Sequence, residues 1–253
     1  MTVTWTMLLT VCPLVFVAST IDAIGGGGGL ISLPAYLLAG LPAPLAAGSN
    51  KMSASVGTLI ATGKFLRGGK LLIKPALCAA LGALPGAWLG AETLKRCDPA
   101  FVRIFLMIAI PAVALVLVLR RDTPAQTRPL TRARMAGCFA LGLGCGFYDG
   151  FFGPGTGTLL IMGLTWLIGM DMVTASGTAK LINLTSNISA LSSLIMGGEV
   201  LFPLALPAMA FSIGGGYFGS WLAMRHGAKF IRKIMLAVVC LLMLKLAYDW
   251  FIA

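Results

Sequence analysis

Two lysines sit deep inside long apolar stretches of this 253-residue chain, and their surroundings are written twice. Lys51 closes the run Gly48-Ser49-Asn50-Lys51, and Lys180 closes Ser176-Gly177-Thr178-Ala179-Lys180. Ahead of each stands an aspartate followed by a glycine-rich break: Asp22 before the glycines at 25–29, and Asp149 before Gly153-Pro154-Gly155-Thr156-Gly157. Two ammonium groups supply positive charge and N–H donors, which suits them to hold an anion without making or breaking a bond. Hydroxyl and amide donors accompany them: Ser49, Asn50, Ser53 and Ser55 in the first copy, Thr178, Asn183, Thr185 and Asn187 in the second. Gly27, Gly28, Gly155 and Thr156 stand where the breaks expose backbone N–H groups at the starts of short helices, and such helix N-termini favour anions. Asp22 and Asp149 have two readings, as caps that accept N–H bonds at the breaks or as buried carboxylates that load and release a proton. A purely structural reading pairs each aspartate with a lysine as a buried bridge.

The elements that must position these groups follow from composition. With 58% of residues apolar, 11% charged and a mean hydropathy of +0.94, the chain reads as an integral membrane protein. Its apolar segments run over roughly 3–24, 29–40, 43–66, 72–94 and 100–119, then 135–149, 155–169, 172–196, 201–224 and 230–252. Most approach the ~20 residues that cross a bilayer as a helix, while 29–40 is too short to do so. At 1.5 Å per residue both lysines lie about 15 Å into their segments, near the bilayer centre. A lysine there costs about 2.5–3.5 kcal/mol even on lenient scales, so something must offset it twice.

A shift of 129 residues carries Lys51 onto Lys180, Gly48 onto Gly177, Gly68-Gly69 onto Gly197-Gly198, Gly86 and Gly90 onto Gly215 and Gly219, and Arg103 onto Arg232. The expected fold is therefore all-α: a polytopic membrane protein with a first repeat at 1–119, a basic linker at 120–134 and a second repeat at 135–253. It has 8 to 10 membrane segments, with short broken or re-entrant helices after the glycine runs. Basic residues Lys64, Arg67, Lys70 and Lys74 flank one loop, whereas its counterpart in the second half offers Glu199, which favours inverted repeats. Lys95, Arg96 and Arg103 run against that assignment. Glycines four apart, such as Gly86 with Gly90, suit close helix approach, and Trp221, Tyr248 and Trp250 near segment ends suit membrane interfaces.

The net charge of +11 is gathered in short clusters between apolar segments rather than along a stripe with aromatics, so nucleic acid is not expected as a partner. Six cysteines without a CxxC give neither a disulfide framework nor a zinc pattern. One histidine, His226 in a basic loop, and the absence of HExxH, GxSxG and a Walker motif argue against an enzyme, and no metal or cofactor is expected. The first apolar stretch lacks a basic leader and a small-residue cleavage site and reads as a retained segment.

Asp22 with its glycine run, Gly48-Ser49-Asn50-Lys51, the Gly68-Gly69-Lys70 loop and the second-half echo from Asp149 to Gly157 with Ser176 to Lys180 together resemble the sulfite exporter TauE/SafE family. The likeness covers nearly the whole chain. It implies transport of small sulfur-containing or other organic anions, including sulfite or sulfonate export, by a multi-pass protein of the bacterial inner membrane. The expected partners are a small anionic substrate and the lipid bilayer, with homo-oligomerisation left open. An anion channel and a non-transporting membrane scaffold are the competing readings. Ala179 stands where the first copy has Asn50, so the two halves need not contribute equally.

Overall fold

A computed structural model describes residues 3–98 and 128–252 together with positions 101, 108 and 112; beyond 227 it describes side chains only at 230, 233 and 237. Most of the apolar segment at 100–119 and most of the linker thus lie outside the described residues. Among the described residues the chain is helical without strands: α1 Trp5–Gly25, α2 Gly29–Leu38, α3 Ala43–Arg67, α4 Ile73–Arg96, α5 Arg132–Phe151, α6 Thr156–Ile168, α7 Met172–Met196 and α8 Phe202–Ile252. α1 and α4 are long and apolar enough to cross a membrane by length and composition. The segments expected at 201–224 and 230–252 run as one element, α8, broken at Gly227 by a φ of 71°.

The glycine runs interrupt helices as expected. α1 stops at Gly26, whose φ of 68° lies outside the α region, and the chain restarts at α2 with no side-chain cap. α6 begins after Gly155 (φ 83°) and stops at Gly169 (φ 76°), which makes it and α2 short helices set between longer ones.

Directions follow from matched contacts. A Cβ added at Gly82, Gly86 or Gly90 of α4 would strike Phe139, Leu143 or Phe147 of α5 in step, so these helices run parallel. The reverse face repeats the fit, with Gly142, Gly146 and Gly150 against Ala79, Ala83 and Ala87. Gly215 and Gly219 of α8 lie on Phe16 and Thr20 of α1, again in parallel. Glycines every fourth residue let backbones approach closely, which is how helices gain van der Waals contact where lipid offers no hydrophobic drive. α3 runs parallel to α8, through Gly48 at Glu199 and Gly57 at Ser212. α7 runs parallel to α4, through Ser189 at Leu84 and Ser193 at Glu92. α3 and α7 cross antiparallel, since Phe65 meets Gly177 while Lys51 meets Asn187. One set (α1, α3 and the first part of α8) therefore points opposite to the other (α4, α5 and α7).

Asp171, in the turn between α6 and α7, caps α7 by accepting the N–H groups of Val173 and Thr174, both at 3.0 Å. Partial burial pushes its carboxyl up, but hydrogen bonds from Thr174 and Val173 and the charge of Lys70 outweigh this and hold it below the ordinary aspartate value. A lowered pKa adds stability that is present above the unfolded value and lost as pH falls through the folded one. Asp171→Ala is expected to cost about 1 kcal/mol at neutral pH, and Asp171→Asn much less, because asparagine also caps. Thermal unfolding in detergent checks both. The gap between wild type and Asp171→Ala should narrow below about pH 4, where the carboxylate of the unfolded chain is protonated.

Candidate functional site

Each buried lysine meets the aspartate from the other half of the chain. Lys51 on α3 donates to Asp149 Oδ2 of α5 at 2.7 Å and to Asn187 Oδ1 of α7 at 2.9 Å. Lys180 on α7 donates to Asp22 Oδ2 of α1 at 2.6 Å. The antiparallel crossing of α3 and α7 is what makes the pairing crosswise. Ser186 supplies Asp149 with a further hydrogen bond at 2.6 Å. Asp22 also accepts from the Gly27 N–H at 3.4 Å, a long contact of the capping kind. These bridges offset the cost of burying two ammonium groups, since removing one member of such a pair strands a charge.

The two breaks are stacked on one another. A Cβ at Gly26 would run into the backbone of Gly157, and Gly29 abuts Pro154. The Thr158 hydroxyl donates to the carbonyls of Gly25 and Gly26, and that of Ser176 to Ile24 at 2.9 Å. Backbone carbonyls freed by the end of α1 are thereby satisfied by side chains of the second half, as an interior without water requires. Gly26→Ala combines a left-handed φ with a backbone clash and is expected to lose at least about 2 kcal/mol. Gly63→Ala, with nothing within 4 Å of the new methyl, is expected to be neutral or slightly stabilising. Thermal midpoints of the two purified variants test the contrast.

Beside the stacked breaks lies a cleft walled by both halves of the chain, with Ser53 and Asn187 in its lining. The first turns of α2 and α6 open on it; the N–H groups of Leu30, Ile31, Thr156 and Thr158 in those turns bond the carbonyls of Gly27, Gly28, Gly153 and Gly155. Of the residues expected in a binding site, Asp22, Gly28, Asn50, Lys51, Asp149, Gly155, Thr156 and Asn183 are brought together here. Six others stand apart from the cleft. Ser49 accepts the Leu201 N–H at 2.9 Å and Thr178 accepts that of Leu72 at 3.1 Å, so each hydroxyl secures the chain entering a helix of the other half. The Gly27 N–H is turned to Asp22. Lys180 has no exposed surface and lies behind Asp22, which is itself 19% exposed. Ser55 and Thr185 direct their hydroxyls to carbonyls of their own helices, those of Lys51 and Leu181.

Sequence reasoning missed Ser19, Thr58 and Ser212, which also line the cleft. Ser19 donates to the Ser212 carbonyl at 2.9 Å where α1 meets α8. Single serines in apolar helices carry no spacing signal; only the packing partner across the interface reveals them. Among the described residues no group of three or more histidine, cysteine or acidic side chains could hold a metal ion.

Comparison with known proteins follows the same boundaries. A family model described as Sulfite exporter TauE/SafE matches residues 11–246. A probable membrane transporter protein of Haemophilus influenzae is 33% identical over 238 residues, covering 93% of each chain. The probable membrane transporter protein YfcA of Escherichia coli K12 is 33% identical over 235 residues, 92% of this chain and 86% of its own. At greater distance, the probable membrane transporter protein YjnA of Bacillus subtilis is 25% identical over 247 residues, 91% of this chain and 96% of its own. No solved structure matches.

Proposed function

This chain belongs to the sulfite exporter TauE/SafE family of membrane transporters, and we propose that it is a secondary carrier of small anions, with sulfite, sulfonates and related organic anions as its substrate class. Membership makes it a membrane transporter. The observation that carries the substrate class is the cleft where Lys51 meets the first turns of α2 and α6. Lys51 uses two of its three N–H donors on Asp149 and Asn187, which leaves one for a ligand. The N-termini of α2 and α6 turn positive dipole ends to the same place.

The carrier is built of two inverted repeats joined by the 120–134 linker. Supporting this, α1 and α3 point opposite to their counterparts α5 and α7, and contacts recur in matched pairs. Ser49 with Leu201 answers Thr178 with Leu72, and Gly48 at Glu199 answers Gly177 at Lys70. Broken helices meeting at the junction of such repeats are a common plan for alternating access, with substrate held near the bilayer midplane. The helix directions gather Lys64, Arg67, Lys70, Lys74, Arg128, Arg132, Arg134 and Arg225 at one end of the bundle, which is the cytoplasmic end by the positive-inside rule. Lys95 and Arg96 at the opposite end are matched by Glu92, at 2.6 and 3.8 Å, which weakens their topogenic weight. The protein thus crosses the inner membrane several times and exports its anion in exchange with an ion or proton.

Counterflow in liposomes containing the purified protein tests this, with sulfite, thiosulfate, sulfoacetate and simple carboxylates as the panel and taurine as a zwitterionic control. Saturable exchange of at least one anion is expected. Fast uncoupled conductance would return the channel reading, and no movement of any anion would return the scaffold reading.

A further inference from the structure

Among the buried polar side-chain atoms of the described residues, Asn50 Oδ1 stands out because no hydrogen bond reaches it. Asn50 is 7% exposed and lines the cleft directly beside Lys51. Several groups around it make their hydrogen bonds elsewhere. Ser53 donates to the backbone carbonyl of Asn50 at 3.0 Å and receives the Tyr36 hydroxyl at 3.1 Å. Ser55 donates to the Lys51 carbonyl, and Lys51 donates to Asp149 and Asn187. An acceptor shut away without a donor is destabilising, and native interiors rarely tolerate one unless something else supplies the donor. The repeat does not account for it either, since the equivalent position in the second half is Ala179, fully buried and apolar. The orphan is therefore a feature of the cleft and not of the shared scaffold.

From this we infer that the anions accepted at this cleft also carry a hydrogen-bond donor, an O–H or N–H, which the Asn50 carbonyl oxygen receives. This rests on the anion-carrier reading and narrows its substrate class. The negative group of the ligand takes the free N–H of Lys51 and the helix N-termini, while its donor takes Asn50 Oδ1. An anion of the same size and charge that lacks the donor leaves that oxygen without a partner. A site with an unpaired buried polar group discriminates against a ligand that cannot satisfy it far better than an apolar pocket discriminates by size.

The test uses two probes of equal charge and nearly equal shape, 2-hydroxyethanesulfonate and ethanesulfonate, as competitors and as substrates of counterflow in liposomes. Wild type is expected to prefer the hydroxylated probe by about tenfold, the weight of one hydrogen bond to a desolvated acceptor. Asn50→Leu is expected to bring that ratio close to one by weakening the hydroxylated probe while ethanesulfonate is unchanged or improved. Asn50→Ala repeats the measurement with a smaller side chain, and a thermal midpoint for each variant confirms that it is folded. Equal handling of the two probes by wild type overturns the inference and leaves the anion reading standing, as does a preference that survives in both variants. If neither probe, nor any other anion, is bound or moved by wild type, the anion reading itself falls and this inference with it.

Discussion

Replacing Lys51 by methionine together with Asp149 by asparagine is expected to leave a folded protein whose anion exchange is reduced at least about 100-fold, the loss of one charged hydrogen bond to substrate at the upper end of its range. The double substitution matters because the single one confuses two effects. Lys51→Met alone strands the Asp149 carboxylate, 3% exposed, with Ser186 as its remaining partner, and a stranded buried charge costs about 3–5 kcal/mol. Taking both charges away removes that penalty, since an uncharged pair of similar volume is often as stable as the bridge it replaces. The amide introduced by Asp149→Asn also keeps the hydroxyl of Ser186 supplied with an acceptor. Counterflow on the double variant, with a thermal midpoint beside it, separates the roles. A folded variant that still exchanges anions at the wild-type rate would falsify the assignment of Lys51 to substrate and leave the bridge a structural one.

The other large effect belongs to the Lys180 bridge. Lys180 has no exposed surface, and its ammonium is held by Asp22 at 2.6 Å. Lys180→Met and Asp22→Asn are each expected to lose about 3–5 kcal/mol, enough to remove much of the stability of an ordinary domain. The pair Lys180→Met with Asp22→Asn is expected to recover most of it, because no ion is then left unpaired. The double-mutant cycle should therefore show a coupling of about 2 kcal/mol or more, at the strong end for residues in contact. Simple additivity of the two single losses would mean that the lysine is stabilised by something other than Asp22. The contrast between the bridges is informative in itself. The Lys51 bridge faces the cleft and has a second partner in Asn187, so its ammonium can turn to a ligand without being deserted. Lys180 is sealed from solvent.

Much of this arrangement was legible in the chain. Lysine is costly in lipid, so Lys51 and Lys180 inside apolar segments stood out as groups that need buried partners, and each has one in an aspartate. Glycine and proline break helices by backbone chemistry alone, so the stops after Asp22 and Asp149 and the short helices Gly29–Leu38 and Thr156–Ile168 could be read residue by residue. Most of the stretch at 100–119 falls outside the described residues.

The roles of the hydroxyls were not legible. Ser49 and Thr178 flank the lysines and carry the same donor and acceptor group as Ser53, yet they hold the starts of α8 and α4. A hydroxyl that binds a ligand and one that secures a neighbouring backbone are chemically identical; the difference is what lies opposite, across a helix interface. The same holds for the serines of α1 and α8, which became part of the cleft when the glycines of those helices brought them together.

Composition and local pattern by themselves determined that the chain is a helical membrane protein with paired charges and paired breaks, because each of those follows from what a residue costs in its own surroundings. Only the tertiary structure decided that Lys51 pairs with Asp149 and Lys180 with Asp22, that Lys51 faces the cleft while Lys180 lies sealed behind Asp22, and that Asn50 is left with an unanswered oxygen. Those outcomes depend on the antiparallel crossing of α3 and α7, and a crossing is a property of surfaces that meet over more than a hundred residues of intervening chain.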